Sequence, residues 1–198
     1  EKDRQFLRQR ITRLKTQLKS VEKERNTQKK RRSNCFRVSL IGYTNAGKST
    51  LFNKLTKSET YVADQLFATL DSTLRRVELP NFGAMVLADT VGFISNLPHQ
   101  LVEAFRATLE ETSSADLLLH VIDYSNGSKE NYVSEVNDVL IEIGADSVPQ
   151  LQVFNKIDLI GEFEPKVVCD KFGTPTKVWI SAYRGLGIDI LRKAIAEV

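Results

Sequence analysis

The residues best equipped for chemistry stand in one run, Gly42-Tyr43-Thr44-Asn45-Ala46-Gly47-Lys48-Ser49, which has the composition and spacing of a phosphate-binding loop. Two glycines let the chain bend and leave backbone N–H groups unobstructed, so that those from Asn45 to Thr50 can converge on phosphate oxygens. Lys48 is placed to reach the β- and γ-phosphates of a nucleotide, and the Ser49 hydroxyl is a ligand for Mg²⁺. A glycine turn that merely joined two elements would account for Gly42 or Gly47, but not for Lys48 and Ser49 as well.

Two further segments carry acidic residues in positions that suit the same ligand. In Asp89-Thr90-Val91-Gly92 a carboxylate at a strand tip can hold Mg²⁺ through its water shell, and the Gly92 N–H can bond the γ-phosphate. In Asn155-Lys156-Ile157-Asp158 the Asp158 carboxylate can accept from both N1–H and the exocyclic amine of guanine, two charge-assisted bonds in one plane. Adenine has neither proton there and would leave that carboxylate unpaired, which disfavours an ATPase. Asn155 would contact N7 or tie the loops together, and the Lys156 stem would cover the base. Ser181-Ala182 would supply a backbone N–H to the guanine O6.

These segments need elements that hold them at one edge. Short apolar runs predict strands near 36–41, 73–79, 84–88, 117–122, 150–154 and 177–180, and 3.6-residue periodicity predicts helices over 48–56, 99–112, 129–143 and 187–197. The alternation is that of an α/β fold, a mostly parallel six-stranded sheet wrapped by helices, whose ligands bind beyond the carboxyl ends of the strands. Every motif above falls at such an end. The helix after the phosphate loop adds its positive dipole end to the same anion.

Charge divides the chain. Residues 1–33 hold thirteen Lys or Arg against four acidic residues, within a net charge of +3 for all 198 residues. Leu7, Ile11, Leu14, Leu18 and Val21 share one helical stripe there. We read 1–33 as a basic helical linker or coiled-coil arm, its stripe one half of an antiparallel helical pair and its cationic face either solvated or set against RNA phosphates, and 34–198 as a nucleotide-binding domain. The chain opens on Glu1 and its only methionine is Met85, which reads as a piece of a longer protein. Cys35 and Cys169 are 134 positions apart without metal-ligand spacing, so both read as reduced thiols. No apolar run reaches the roughly 20 residues of a membrane span. Of the two histidines, His120 reads as a hydrogen-bonded sheet residue, and His99 is not assigned to catalysis.

Taken together, the segments resemble the P-loop GTPases, and most closely the HflX family of ribosome-associated GTPases in the Obg-HflX group. The resemblance rests on Gly42 to Asn53, on Leu66-Phe67-Ala68-Thr69-Leu70-Asp71, on Asp89-Thr90-Val91-Gly92-Phe93-Ile94 and on Asn155-Lys156-Ile157-Asp158. It implies a cytoplasmic, monomeric enzyme that binds GTP and GDP, hydrolyses GTP to GDP and phosphate with Mg²⁺, and switches on the large ribosomal subunit and its RNA. That family also has an N-terminal and a short C-terminal domain outside this region. Its catalytic roles would fall to Lys48, Thr69 and Gly92, with Ser49 and Thr69 on the metal. Thr60 and Thr73 are rivals of Thr69 on sequence alone, and Ser72 stands where the family commonly has proline. Many Ras-like GTPases orient water with a glutamine where this chain has Phe93, so hydrolysis is expected to be slow until the ribosome stimulates it. Asn45 occupies a place that in some GTPases accompanies K⁺ beside the phosphates; the alternative is an asparagine that only braces the loop. A non-catalytic RNA-binding module with structural nucleotide is the rival function.

Overall fold

The computed structural model describes residues 35–57, 73–79, 82–90, 92, 112–161 and 163–198. The chain divides into two units between Cys35 and Phe36, and every element described below lies in the second.

Strands β1 (Phe36–Ile41), β2 (Thr73–Leu79), β3 (Gly83–Asp89), β4 (Leu117–Asp123), β5 (Gln150–Asn155), β6 (Lys166–Cys169) and β7 (Pro175–Trp179) form one sheet in the order β2-β3-β1-β4-β5-β7-β6. The pairings β1–β3, β1–β4, β4–β5 and β5–β7 are parallel, and the two outer ones, β2–β3 and β6–β7, are antiparallel. The mostly parallel α/β sheet is therefore as read, but with seven strands rather than six. The added one is β6, whose four residues are all exposed and so carry no alternation of buried and solvated positions. It forms because the Asp170 carboxylate accepts the N–H groups of Phe172 and Thr174 and turns the chain back, with Gly173 at φ 88°.

Both faces of the sheet are covered. Helices α1 (Lys48–Thr56) and α3 (Ile188–Glu197) set Leu51, Phe52, Leu55, Leu191 and Ile195 against Val38, Leu40, Leu87, Leu119 and Val153. Helix α2 (Lys129–Glu142) sets Val136 and Leu140 against Ile41 and Leu118 on the other face. Strand β4 is the most buried: Leu117-Leu118-Leu119-His120-Val121-Ile122 has water on neither side, as a central parallel strand should. Beyond α2, the same face of β5 and β7 is covered by rings, with Phe154 stacked on Trp179 at 4.8 Å and Tyr124 edge-on to both.

Among the described residues no helix is long and apolar enough to cross a membrane. Cys35 and Cys169 are both free thiols. The basic arm 1–33, the first-switch segment with Thr60, Thr69 and Ser72, Phe93, His99 and all but the last residue of the helix expected at 99–112 lie outside the described residues.

Candidate functional site

The phosphate loop emerges from the carboxyl end of β1, at the centre of the sheet. Gly42 is obligatory there: at φ 139°, a Cβ would stand 2.2 Å from the Val121 carbonyl oxygen of the neighbouring strand. Gly47, at φ 93°, precedes α1, and a Cβ would stand 2.3 Å from the Asn155 side-chain nitrogen. Asn45 is the exposed turn residue, at φ 59°, a conformation asparagine tolerates better than most. Ala46 is buried and Thr50 half-buried on the first turn of α1.

Lys48 is 6% exposed and donates to the carbonyls of Gly42 at 3.1 Å and Tyr43 at 2.9 Å. Burial lowers its pKa to about 8, against an opposing pull from the Asp89 carboxylate. A cation held so dry is one that an anion would stabilise strongly. The Ser49 hydroxyl donates to Asp89 Oδ2 at 2.8 Å, so the two oxygens read as Mg²⁺ neighbours lie side by side. That donor set, a hydroxyl and a carboxylate, suits a hard cation that keeps water and phosphate ligands. No group of three or more His, Cys, Asp or Glu among the described residues could cage a metal unaided. Gly92 closes the loop from above: a Cβ would lie 2.8 Å from Thr44 Cγ2 and 3.0 Å from Lys48 Nζ. Thr73 opens β2 opposite Asp89 in the antiparallel ladder.

At the carboxyl end of β5 stands the second cluster. Asn155 is 2% exposed; its Nδ2 donates to the Ala46 carbonyl at 2.9 Å, and its Oδ1 accepts the Ala182 N–H at 2.9 Å. One amide thus ties the phosphate loop to the loop after β7. Lys156 takes φ 65°, and its ammonium pairs with Asp123 Oδ2 at 2.7 Å, both side chains about a fifth exposed. Asp158 lies in the short 3-10 turn Ile157–Leu159, and its Oδ1 is buried with no hydrogen-bond partner. A buried orphan acceptor is costly unless a ligand supplies the donor. Ser181 donates its N–H to Leu186 and Ala182 gives its own to Asn155, so a base carbonyl here would share the Ala182 N–H with Asn155.

Sequence reasoning missed two residues. Asp123 holds Lys156, and the signal available was an acid at the tip of an otherwise apolar strand. Tyr132 on α2 stacks on Tyr43, and nothing local marked it. His120 is 1% exposed, and burial lowers its pKa to about 4, with a Gln150 hydrogen bond opposing and the Lys48 charge assisting. It is a neutral sheet residue, with the expected hydrogen bond made to Gln150 and its Nδ1 buried without a partner.

Comparison with known proteins points the same way. The chain is 51% identical over 199 residues to the GTPase HflX of Escherichia coli, covering 100% of this chain and 47% of that protein. It is 48% identical over 194 residues to the GTPase HflX of Magnetococcus marinus, covering 96% and 44%. The chain therefore spans about half the length of these relatives. Among solved structures it resembles a GTP-binding protein from Sulfolobus solfataricus in complex with GDP, with TM-score 0.66 and 27% identity, over 96% of this chain and 57% of that one. The family model described as 50S ribosome-binding GTPase matches residues 37–156, from β1 through the phosphate loop to Lys156. With the loop, the acidic strand tip and the turn that carries Asp158 all set at one edge of the sheet, the chain belongs to the 50S ribosome-binding GTPases, and the HflX resemblance read from its motifs holds.

Proposed function

We propose that residues 34–198 bind GTP and GDP, hydrolyse GTP to GDP and phosphate, and serve as the nucleotide switch of a cytoplasmic protein that acts as a monomer on the large ribosomal subunit. The observation that carries the guanine reading is the buried, unpartnered Asp158 Oδ1 beside the Asn155 bridge. Guanine offers that oxygen a donor and adenine does not.

The phosphates would enter the amide-lined loop from Asn45 to Thr50, where the Lys48 ammonium replaces or shares its carbonyl partners with phosphate oxygens. Ser49 and Asp89 would hold Mg²⁺, joined by Thr69 when the first switch closes. When bound, Mg²⁺ neutralises charge building between the β- and γ-phosphates. Gly92 fits against Thr44 and Lys48 because it lacks a side chain, and its N–H would donate to a γ-phosphate. Lys48, Thr69 and Gly92 then define the triphosphate state, and loss of the γ-phosphate releases the two loops that carry Thr69 and Gly92. Phe93 cannot polarise water, so intrinsic turnover is slow and the ribosome accelerates it. Asn45 braces the loop, and K⁺ beside it is the variant reading that equal rates in KCl and NaCl would remove. The basic arm 1–33 would face ribosomal RNA.

Titration calorimetry with GDP, GTP and ATP, with and without Mg²⁺, tests the reading. Guanosine nucleotides should bind and ATP should not. Hydrolysis by the purified chain alone should fall well below the ~10 s⁻¹ of ordinary enzymes. Equal heats for ATP and GTP would overturn the base assignment. Fast unstimulated turnover would overturn the switch.

A further inference from the structure

The phosphate loop is closely packed on one side and open on the other. Toward β4 it is pinned by the contact of Gly42 with the Val121 backbone. Toward α2 it borders a cleft of about 140 Å³, floored by His120 to Asp123 and walled by Asn126, Lys129 and Val133. Atoms facing such a gap lose the dispersion contacts that hold a loop in one conformation. The Tyr43 ring stacks on the Tyr132 ring of α2, with centroids 4.0 Å apart and planes at 11°. Tyr43 is also the residue whose carbonyl accepts Lys48 Nζ at 2.9 Å.

We infer that Tyr132 is a positioning residue for the nucleotide site: by stacking on Tyr43 it holds the carbonyl that aims the Lys48 ammonium into the phosphate loop. The inference rests on the proposed guanine-nucleotide site and adds α2 to the elements that set its affinity. It follows from the cleft. Were the loop backed by packed core, losing one ring would be absorbed. With a gap beside it, the loop has room to shift when the stack is lost, and the ring and the Lys48-binding carbonyl belong to the same residue. Without the ring the loop samples conformations in which Lys48 points elsewhere, and apparent affinity falls with the competent fraction. Aromatic pairs of this kind contribute enough beyond area burial to move an equilibrium roughly two- to tenfold.

The test is GDP affinity by calorimetry in the full chain, for the wild type, Tyr132→Phe, Tyr132→Leu, Tyr43→Leu and the double Leu variant, with melting temperature recorded for each. Val139→Ala, on α2 about two turns beyond Tyr132 and packed against the cluster of Leu118, Leu140 and Ala145, is the control for general destabilisation. Tyr132→Leu should weaken GDP roughly two- to tenfold, Tyr132→Phe should bind like the wild type, and the double variant should be no weaker than the worse single. Val139→Ala should melt earlier and bind GDP unchanged. Wild-type affinity in Tyr132→Leu overturns the inference. So does equal weakening by Val139→Ala, or full additivity of the two Leu changes. A wild-type chain that binds no guanine nucleotide takes down the site assignment itself, and the brace with it.

Discussion

Asn155 ties the phosphate loop to the loop after β7, and its removal has a calculable cost. In Asn155→Ala two buried backbone groups lose their partners, the Ala46 carbonyl and the Ala182 N–H, each at 2.9 Å in the native chain. A buried polar group left unpaired costs about 1–3 kcal/mol, so the pair amounts to about 2–6 kcal/mol. Water entering the gap would recover part of this, and would do so by separating the phosphate loop from the loop that carries Ala182. The loss therefore divides between folding and ligand binding. Urea unfolding should show at least about 2 kcal/mol of destabilisation, and calorimetry at least about a tenfold weaker GDP complex. Asn155→Asp separates the two bonds. It keeps size and the acceptor for Ala182 but cannot donate to Ala46, and it sets a carboxylate oxygen against that carbonyl. GDP binding should fall as far as in the alanine variant, because the phosphate-loop half is the one lost. Stability of Asn155→Ala within about 0.5 kcal/mol of wild type, the range of ordinary surface changes, would refute the bridge. Asn155→Asp binding GDP normally would refute the assignment of Nδ2.

Asp158→Asn replaces an acceptor by a donor and should turn preference from guanine to xanthine, whose 2-position is a carbonyl; unchanged GTP affinity in that variant would exclude Asp158 from the base pocket. His120 should make the fold acid-sensitive. Its folded pKa is lowered to about 4 from 6.5, so the unfolded chain binds the proton first, and stability falls as pH drops through that window, by about 3 kcal/mol in all. Urea unfolding at pH 7 and 4.5 should show His120→Leu losing less than the wild type, and equal losses would place the acid sensitivity elsewhere.

What could be read from the chain was whatever local spacing encodes. The phosphate loop is legible because its chemistry needs glycine, lysine and a hydroxyl at fixed offsets, and the structure holds each for a separate reason: Gly42 under Val121, Gly47 under Asn155, Lys48 on two carbonyls. Strand β4 is legible because burial on both faces leaves an unbroken apolar run. Strand β6 was not, for the complementary reason. Lys166-Val167-Val168-Cys169 buries nothing, so the pattern that announces a strand is absent, and its existence depends on the Asp170 turn and on β7 already being in place.

The supporting residues of the site belong to a third kind, which strand order creates and spacing cannot show. Asp123 ends β4 and Asn155 ends β5, and the parallel register places them opposite each other. The residue after Asn155 is Lys156, whose ammonium therefore finds Asp123 across 33 positions of sequence. Had β4 and β5 not been neighbours, the same acid would have been an ordinary strand-end turn residue, and Lys156 would have had to order its stem against the base unaided. Tyr43 and Tyr132 meet for a related reason: β1 and β4 are also neighbours, so the loop after β1 and the helix after β4 rise from adjacent strand ends. In both cases a residue at or beyond the end of β4 steadies a residue just past the end of the strand beside it. If this reasoning is right, substitutions at Asp123 and Tyr132 should weaken guanine-nucleotide binding without altering the choice between guanine and xanthine, because neither reads the base. A change of base preference from either position would mean that the segment after β4 touches the ligand directly.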